Sequence, residues 1–203
     1  MITELRVGEV IEACTTDFVT QCYELYQSPS LGSLVKTRGD SQEEIYGVVY
    51  NCSTAGVEPG RRPIARGKDE DNEDEIYRAS PQLVKLLRTD FSVLILGFKK
   101  DAQVFQCLPS KTARIHSFVY LCSPEEVIQF SRCFDFLNIL LKSRVDIPVE
   151  ELIGSVIRQM SLVQGSNKLE FLVSAGKELA ALLSADYGQL KAILKGLRYY
   201  ASQ

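Results

Sequence analysis

Residues 91–98 read FSVLILGF and form the longest strongly apolar run in the chain. An apolar run of this length, bounded by turn residues, predicts a buried β-strand. Short runs of β-branched and aromatic residues, separated by turn residues, extend outward from it on both sides. They predict further strands at residues 6–14, 17–25, 34–37, 44–53, 102–107 and 112–121. Six or seven strands at roughly even spacing favour a small β-barrel or a sandwich.

One helix is predicted inside this strand-rich half, because Ser80 supplies an N-cap and Pro81 suits the first helical position. After residue 122 the apolar residues recur at helical spacing instead. Residues 123–126 (SPEE) form a capping box. An apolar stripe with helical spacing follows it, made of Val127, Phe130, Phe134, Leu137 and Leu141.

Three more helices are predicted, one capped by Asp146, one starting at Ser166 or Asn167, and one at Asp186. Short connections predict that they are antiparallel neighbours. The predicted fold is therefore α+β. A small N-terminal β-barrel of six to seven strands and one short helix occupies residues 1–122, and a C-terminal α-helical bundle occupies residues 123–203.

The composition excludes several classes of protein. The 203 residues include 23 Lys and Arg against 26 Asp and Glu, one His and six Cys. So balanced a charge gives no global field for nucleic acid or an anionic membrane, and such contact needs a local patch. One His excludes sites built from several imidazoles. The chain contains no apolar run of about 18 residues, and its start lacks the features of an export signal. A soluble, cytoplasmic protein is expected.

The cysteines show no Cys-x-x-Cys spacing and no zinc-ribbon clustering. They are Cys14, Cys22, Cys52, Cys107, Cys122 and Cys133. Without an export signal a reducing compartment is expected, which argues against disulfides. Because the cysteines have apolar neighbours, they are predicted to be small buried hydrophobic residues.

Basic residues are followed directly by acidic ones between positions 60 and 75. A phosphate-binding loop is excluded there, because six residues rather than four separate Gly60 from Gly67, and Asp69 follows Lys68 where a hydroxyl is needed. A twelve-residue calcium loop beginning at Asp69 lacks its glycine and glutamate. A solvated acidic loop is the simpler interpretation of residues 69–75.

Six charged residues of this segment are the candidate partner-binding residues. They are Arg61, Arg62, Arg66, Lys68, Asp69 and Asp71. The two signs of charge either offset each other within one loop or present a bipolar surface to a partner. A second set of cations, Lys191, Lys195 and Arg198, lies near the end of the last predicted helix, where it suits the helix dipole.

His116 lies in a predicted strand, and no Ser or Cys nucleophile motif accompanies it. A structural or surface histidine is therefore expected. No spacing of carboxylates singles out a catalytic pair. The sequence predicts no catalytic residue, no cofactor, no metal site and no enzyme activity.

Four segments carry a family resemblance: residues 7–11, 15–18, 32–35 and 45–49. Their rhythm of strand, short turn, strand, glycine-led strand and Gly-Val-Val strand resembles the HAS-barrel, the small β-barrel named for HerA-type helicases and the rotary ATP synthase. Residues 63–70 and the end of the 91–98 run are similar to the variant of this barrel in cyanobacterial proteins of unknown role.

The resemblance implies a role in assembly. In HAS-barrel proteins the barrel precedes a motor domain, helps to hold subunits together and offers a partner-docking surface. Here a helical segment stands in the motor's place, so neither ATPase nor translocation activity is implied. The expected function is a non-enzymatic assembly or adaptor module that mediates protein–protein interaction or oligomerisation. The alternative is a nucleic-acid-associated accessory protein that uses the two sets of cations.

Overall fold

The computed structural model describes residues 5–39, 43–58, 60 and 62–201. These residues form seven strands and seven α-helices. The strands are β1 Arg6–Ala13, β2 Asp17–Cys22, β3 Leu34–Arg38, β4 Glu44–Gly56, β5 Leu87–Lys100, β6 Gln103–Phe105 and β7 Phe118–Leu121. The helices are α1 Glu73–Ala79, α2 Leu83–Leu86, α3 Pro124–Phe130, α4 Phe136–Lys142, α5 Val149–Leu162, α6 Lys168–Leu182 and α7 Tyr187–Ala201.

The strands form one antiparallel sheet of seven strands in the order β2-β1-β7-β3-β4-β5-β6. An additional antiparallel pairing joins β2 to β5, so the pairings of six strands make a closed circuit. The strand β6 lies outside this circuit and pairs with the last residues of β5. The predicted α+β class is confirmed, and each predicted strand contains or overlaps an observed one.

Irregularities in the register of strand pairing allow the strands of the sheet to bend. The pairing of β4 with β5 shifts between Tyr46 and Gly47. A Cβ atom at Gly47 would lie 2.6 Å from the carbonyl oxygen of Leu94, so only glycine permits this close approach. A bulge at such a position increases the local twist of the strand.

Each side of the sheet contributes to a different hydrophobic cluster, because successive side chains of a strand point to opposite faces. Val35, Ile45 and Val49 belong to a cluster made almost entirely of strand residues. The alternate residues Leu34 and Tyr46 belong to a larger cluster that they share with the helices. This second cluster crosses the predicted domain boundary after residue 122.

The helix α5 lies at the centre of the helical half and contacts α4, α6 and α7. It begins at Val149, after Pro148 rather than after the predicted cap Asp146. Gly32 packs against it from the sheet side. Gly32 has φ +82°, and a Cβ atom there would lie 2.7 Å from the backbone nitrogen of Val156, so a larger residue would push the helix away from the sheet.

The predicted helix that spans both Phe130 and Leu141 is wrong, because α3 ends at Phe130 and α4 begins at Phe136. The side chain of Gln106 occupies the break. Its Nε2 donates to the carbonyl oxygens of Phe130 at 2.6 Å and of Cys133 at 3.1 Å, while its Oε1 accepts from the backbone nitrogen of Phe136 at 3.0 Å. Backbone groups that a continuous helix would pair internally are thereby satisfied. The capping box at Ser123 and Glu126 is confirmed.

Other local predictions need correction. The helix expected directly after Ser80 is shorter than predicted and begins at Leu83. The predicted acidic loop contains the first turn of α1, whose N-cap Asn72 accepts a hydrogen bond from the backbone nitrogen of Glu75 at 3.2 Å. His116 lies in a turn with φ 64° rather than in a strand. Only the last four residues of the strand predicted at 112–121 form β7.

Candidate functional site

The connection between β4 and β5, residues 57–86, leaves the sheet and is called the arm here; it is described except for residues 59 and 61. It carries α1 and α2 and exposes several large apolar side chains. Ile64 is 73% exposed, and Val57, Val84 and Leu86 are exposed as well. Large apolar side chains grouped on a surface are typical of a binding site.

A cavity of about 630 Å³ lies between the arm and the adjoining ends of the two strands. Thr54, Gly56 and Leu87 supply the sheet wall, and Tyr26 contributes from the connection between β2 and β3. The arm supplies the apolar residues Pro63, Ile64, Ala65, Ile76, Leu83 and Leu86, together with Tyr77. Mostly apolar walls with a few polar groups are usual for binding cavities of this size.

Hydrogen bonds of Tyr26 connect the arm wall of the cavity to its sheet wall. The hydroxyls of Tyr26 and Tyr77 share a hydrogen bond of 2.8 Å, and the backbone nitrogen of Tyr26 donates to Oγ1 of Thr89 at 2.9 Å. Thr89 and Thr54 share a further bond of 2.8 Å. The bond to Tyr77 and burial raise the pKa of Tyr26, so its hydroxyl stays protonated at neutral pH.

Charged residues of both signs line the same cavity. Arg62 and Arg66 face it together with Glu58 and Glu73. Within the part of the chain that the structure describes, no ion pair joins Arg62, Arg66 or Lys68 to a carboxylate. Among the described residues, Arg62, Arg66 and Lys68 are therefore not neutralised by direct contact with a carboxylate.

The structure brings some of the candidate partner-binding residues together and not others. Arg62 and Arg66 line the cavity, whereas Lys68, Asp69 and Asp71 are exposed nearby without lining it. Arg61 lies outside the described residues. In the second set of cations, Lys191 and Lys195 are exposed on α7, and the side chain of Arg198 is not among those described.

The thiols differ in exposure, which corrects the prediction that all are buried. Cys22 and Cys122 are buried, but Cys14, Cys52, Cys107 and Cys133 are exposed. All six are free thiols in this structure. Burial raises the pKa of Cys22 to about 12, so it is a thiol rather than a thiolate at neutral pH.

Outside the arm cavity, the histidine of the chain lies at the surface beside a carboxylate. His116 is a surface residue, and its Nδ1 lies 3.1 Å from Oε2 of Glu9. Among residues 5–39, 43–58, 60 and 62–201, no three His, Cys, Asp or Glu side chains are grouped so that they would hold a metal ion. The arm cavity is thus the concave site that best combines apolar walls with charged groups.

Comparison of the sequence with protein-family models and with curated proteins gives no match. The HAS-barrel resemblance therefore stays a prediction from the residues that carry it. Among the described helices, none has both the length and the apolar character needed to cross a bilayer.

Proposed function

We propose that this chain is a non-enzymatic binding module that docks a partner protein on its arm. The observation that carries the proposal is the exposed Ile64 beside a largely apolar cavity, flanked by Arg62 and Arg66, which have no ion-pair partner among the described residues. Covering exposed apolar surface with a partner stabilises the complex by roughly 25 cal/mol per Å² of apolar area buried. Arginine is enriched at protein interfaces because its guanidinium packs and forms hydrogen bonds at once.

The rest of the molecule would then serve as the scaffold for this surface. We take the closed circuit of six strands to be a HAS-type barrel, and α4–α7 to be a helical bundle packed on its outer side. The pairing of β2 with β5 and the glycine at the β4 bulge support the barrel. The contacts of α5 with α4, α6 and α7 support the bundle.

Affinity capture from the cell that makes this protein tests the proposal. The baits are the wild-type chain, an arm variant with Ile64→Glu and Val84→Glu, and a control with Leu169→Glu and Val173→Glu on α6. Leu169 is 74% and Val173 48% exposed, so the control introduces the same two charges at equally open apolar sites. We expect wild type and control to retain the same proteins and the arm variant to lose at least one of them. Identical capture by all three baits would contradict docking on the arm.

A nucleic-acid-associated role is the second candidate, because Arg62, Arg66 and Lys68 have no carboxylate partner among the described residues. The neighbouring carboxylates of residues 69–75 weaken it, since they repel phosphate. Fluorescence anisotropy with labelled single- and double-stranded oligonucleotides tests it. A nucleic-acid protein would bind at low salt and lose affinity steeply as salt rises, and no binding at low salt would remove this candidate.

A further inference from the structure

The arm carries a charge pattern that is complementary to itself. Arg62 and Arg66 precede α1, and the acidic residues Asp69, Asp71 and Glu73 follow them within a few positions. Both groups are exposed, and the described structure pairs neither group with the other. Each group is therefore available to an oppositely charged group on another molecule.

A two-fold symmetric dimer satisfies such a pattern twice. In an isologous interface, residue i of one copy contacts residue j of the other, and residue j contacts residue i. The basic residues of each arm then face the acidic residues of the other arm. The exposed Ile64 and Val84 belong to the same segment, so the same arrangement can cover apolar surface of both copies.

We propose that the occupant of the arm surface is a second copy of this chain, with Arg62 and Arg66 of each copy facing Asp71 and Glu73 of the other. The inference rests on the proposed docking function of the arm and names the partner. An unrelated acidic peptide would neutralise the arginines but leave the carboxylates of residues 69–75 without counter-charges. A second copy supplies both signs at once, and opposite charges across an interface also fix its register.

Sedimentation velocity on the full chain tests the proposal through a charge exchange. One variant carries Arg62→Glu and Arg66→Glu, and the other carries Asp71→Lys and Glu73→Lys. Each variant alone places like charges across the two-fold axis, so we expect its dimer dissociation constant to rise by roughly 100-fold or more. Mixing the two variants restores opposite charges across the axis, and we expect a heterodimer to form.

Two controls separate the arm from general charge effects. Lys191→Glu with Lys195→Glu makes the same charge change as the arginine variant on the exposed surface of α7, and its dimer should persist. Raising the salt concentration should weaken the wild-type dimer, since ions screen exposed charges. Far-ultraviolet circular dichroism of every variant checks that the fold is intact.

The outcomes distinguish this proposal from the docking function on which it rests. A wild-type chain that stays monomeric at all concentrations overturns the second-copy proposal, and so does a mixture of variants that fails to associate. If the arm variant nevertheless loses a different captured protein, docking on the arm stands and only the identity of the partner is wrong. If that variant also captures everything that wild type does, both proposals fail.

Discussion

The two ends of the β4–β5 hairpin differ in how their charged groups are satisfied. At the end near the helices, Nζ of Lys36 lies 2.6 Å from Oε1 of Glu126 and 3.8 Å from Oε1 of Glu44. Lys99 also approaches Glu44, with Nζ 3.6 Å from Oε2. At the opposite end, the described basic residues of the arm have no ion-pair partner at all.

The two ends also differ in how deeply their charged side chains are buried. The Lys36 side chain is 6% exposed and that of Glu126 18%, so their attraction is weakly screened and either charge alone would be costly. Arg62 and Arg66 of the arm are exposed, so water solvates them in the isolated chain. Charges at the helix end therefore contribute to folding, whereas Arg62 and Arg66 of the arm are available to contribute to binding.

The largest effect on stability expected from comparing the two ends is at a buried aromatic residue where the sheet meets the helices. Phe130 is 1% exposed and packs with ring centroids 5.6 Å from Tyr46 and 5.8 Å from Phe136. Replacing it by alanine leaves a cavity where sheet and helices meet, so Phe130→Ala should lower the free energy of unfolding by about 3–5 kcal/mol. Urea denaturation followed by circular dichroism measures the change.

Ile64→Ala in the arm is the matched control. Its side chain is largely exposed in the isolated chain, and at protein concentrations too low for self-association the change should stay within about 0.5 kcal/mol. A loss comparable to that of Phe130→Ala would mean that the arm is part of the core, and the contrast between the two ends would fail.

Whether a feature could be predicted from the sequence depends on how far apart in the chain its determining residues lie. Residues 91–98 and the capping box at Ser123 carry their signals within a few neighbouring positions, so the sequence correctly predicts a strand at the first and the start of a helix at the second. The break between α3 and α4 depends on Gln106, which lies 24 residues before Phe130 and belongs to no helical pattern. An apolar stripe continues across that break and hides it from a local analysis.

The candidate site was only half predictable for a similar reason. Arg62 and Arg66 stand out in the sequence by their charge. The cavity beside them needs Tyr26 to meet Tyr77, which is 51 residues away, and needs the ends of two strands. The cap of α1 at Asn72 is not evident from the sequence, because the surrounding carboxylates indicate a solvated loop. Short-range patterns identify charges and caps, but contacts between distant segments build the cavity.

A smaller effect is expected at the buried ion pair. Lys36→Met keeps an apolar stem and removes the charge that faces Glu126, so it should lower the free energy of unfolding by about 1–3 kcal/mol. The estimate lies below that for a fully buried pair because the Glu126 side chain is partly exposed. Lys68→Met on the arm makes the same chemical change at an exposed position and should have almost no effect. Equal effects of the two substitutions in urea denaturation would contradict the idea that the two ends use their charges differently.

The smallest effect on stability is expected at Glu9 on β1, which forms hydrogen bonds but is partly exposed. It tests whether bonding partners or burial decide how much a charge contributes to stability. The Tyr23 hydroxyl donates to its Oε1 at 2.9 Å, and this bond, with a further contribution from His116, lowers the pKa of Glu9 below its ordinary value of 4.5. A carboxyl whose folded-state pKa is depressed adds stability above its unfolded-state pKa, and this stability is lost as the pH falls through the folded-state value.

Glu9→Gln should therefore reduce the thermal midpoint slightly at pH 7, and the difference from wild type should vanish as the pH falls below 4.5 towards the folded-state pKa. Glu170→Gln, which removes one exposed carboxylate from α6, is the control for the loss of one negative charge. If Glu9→Gln instead lowers the free energy of unfolding as much as Lys36→Met does at pH 7, hydrogen-bond and ion-pair partners alone would decide how much a charge stabilises this fold. Arg62 and Arg66, which have no ion-pair partner among the described residues, would then differ from the helix end for that reason rather than through their exposure.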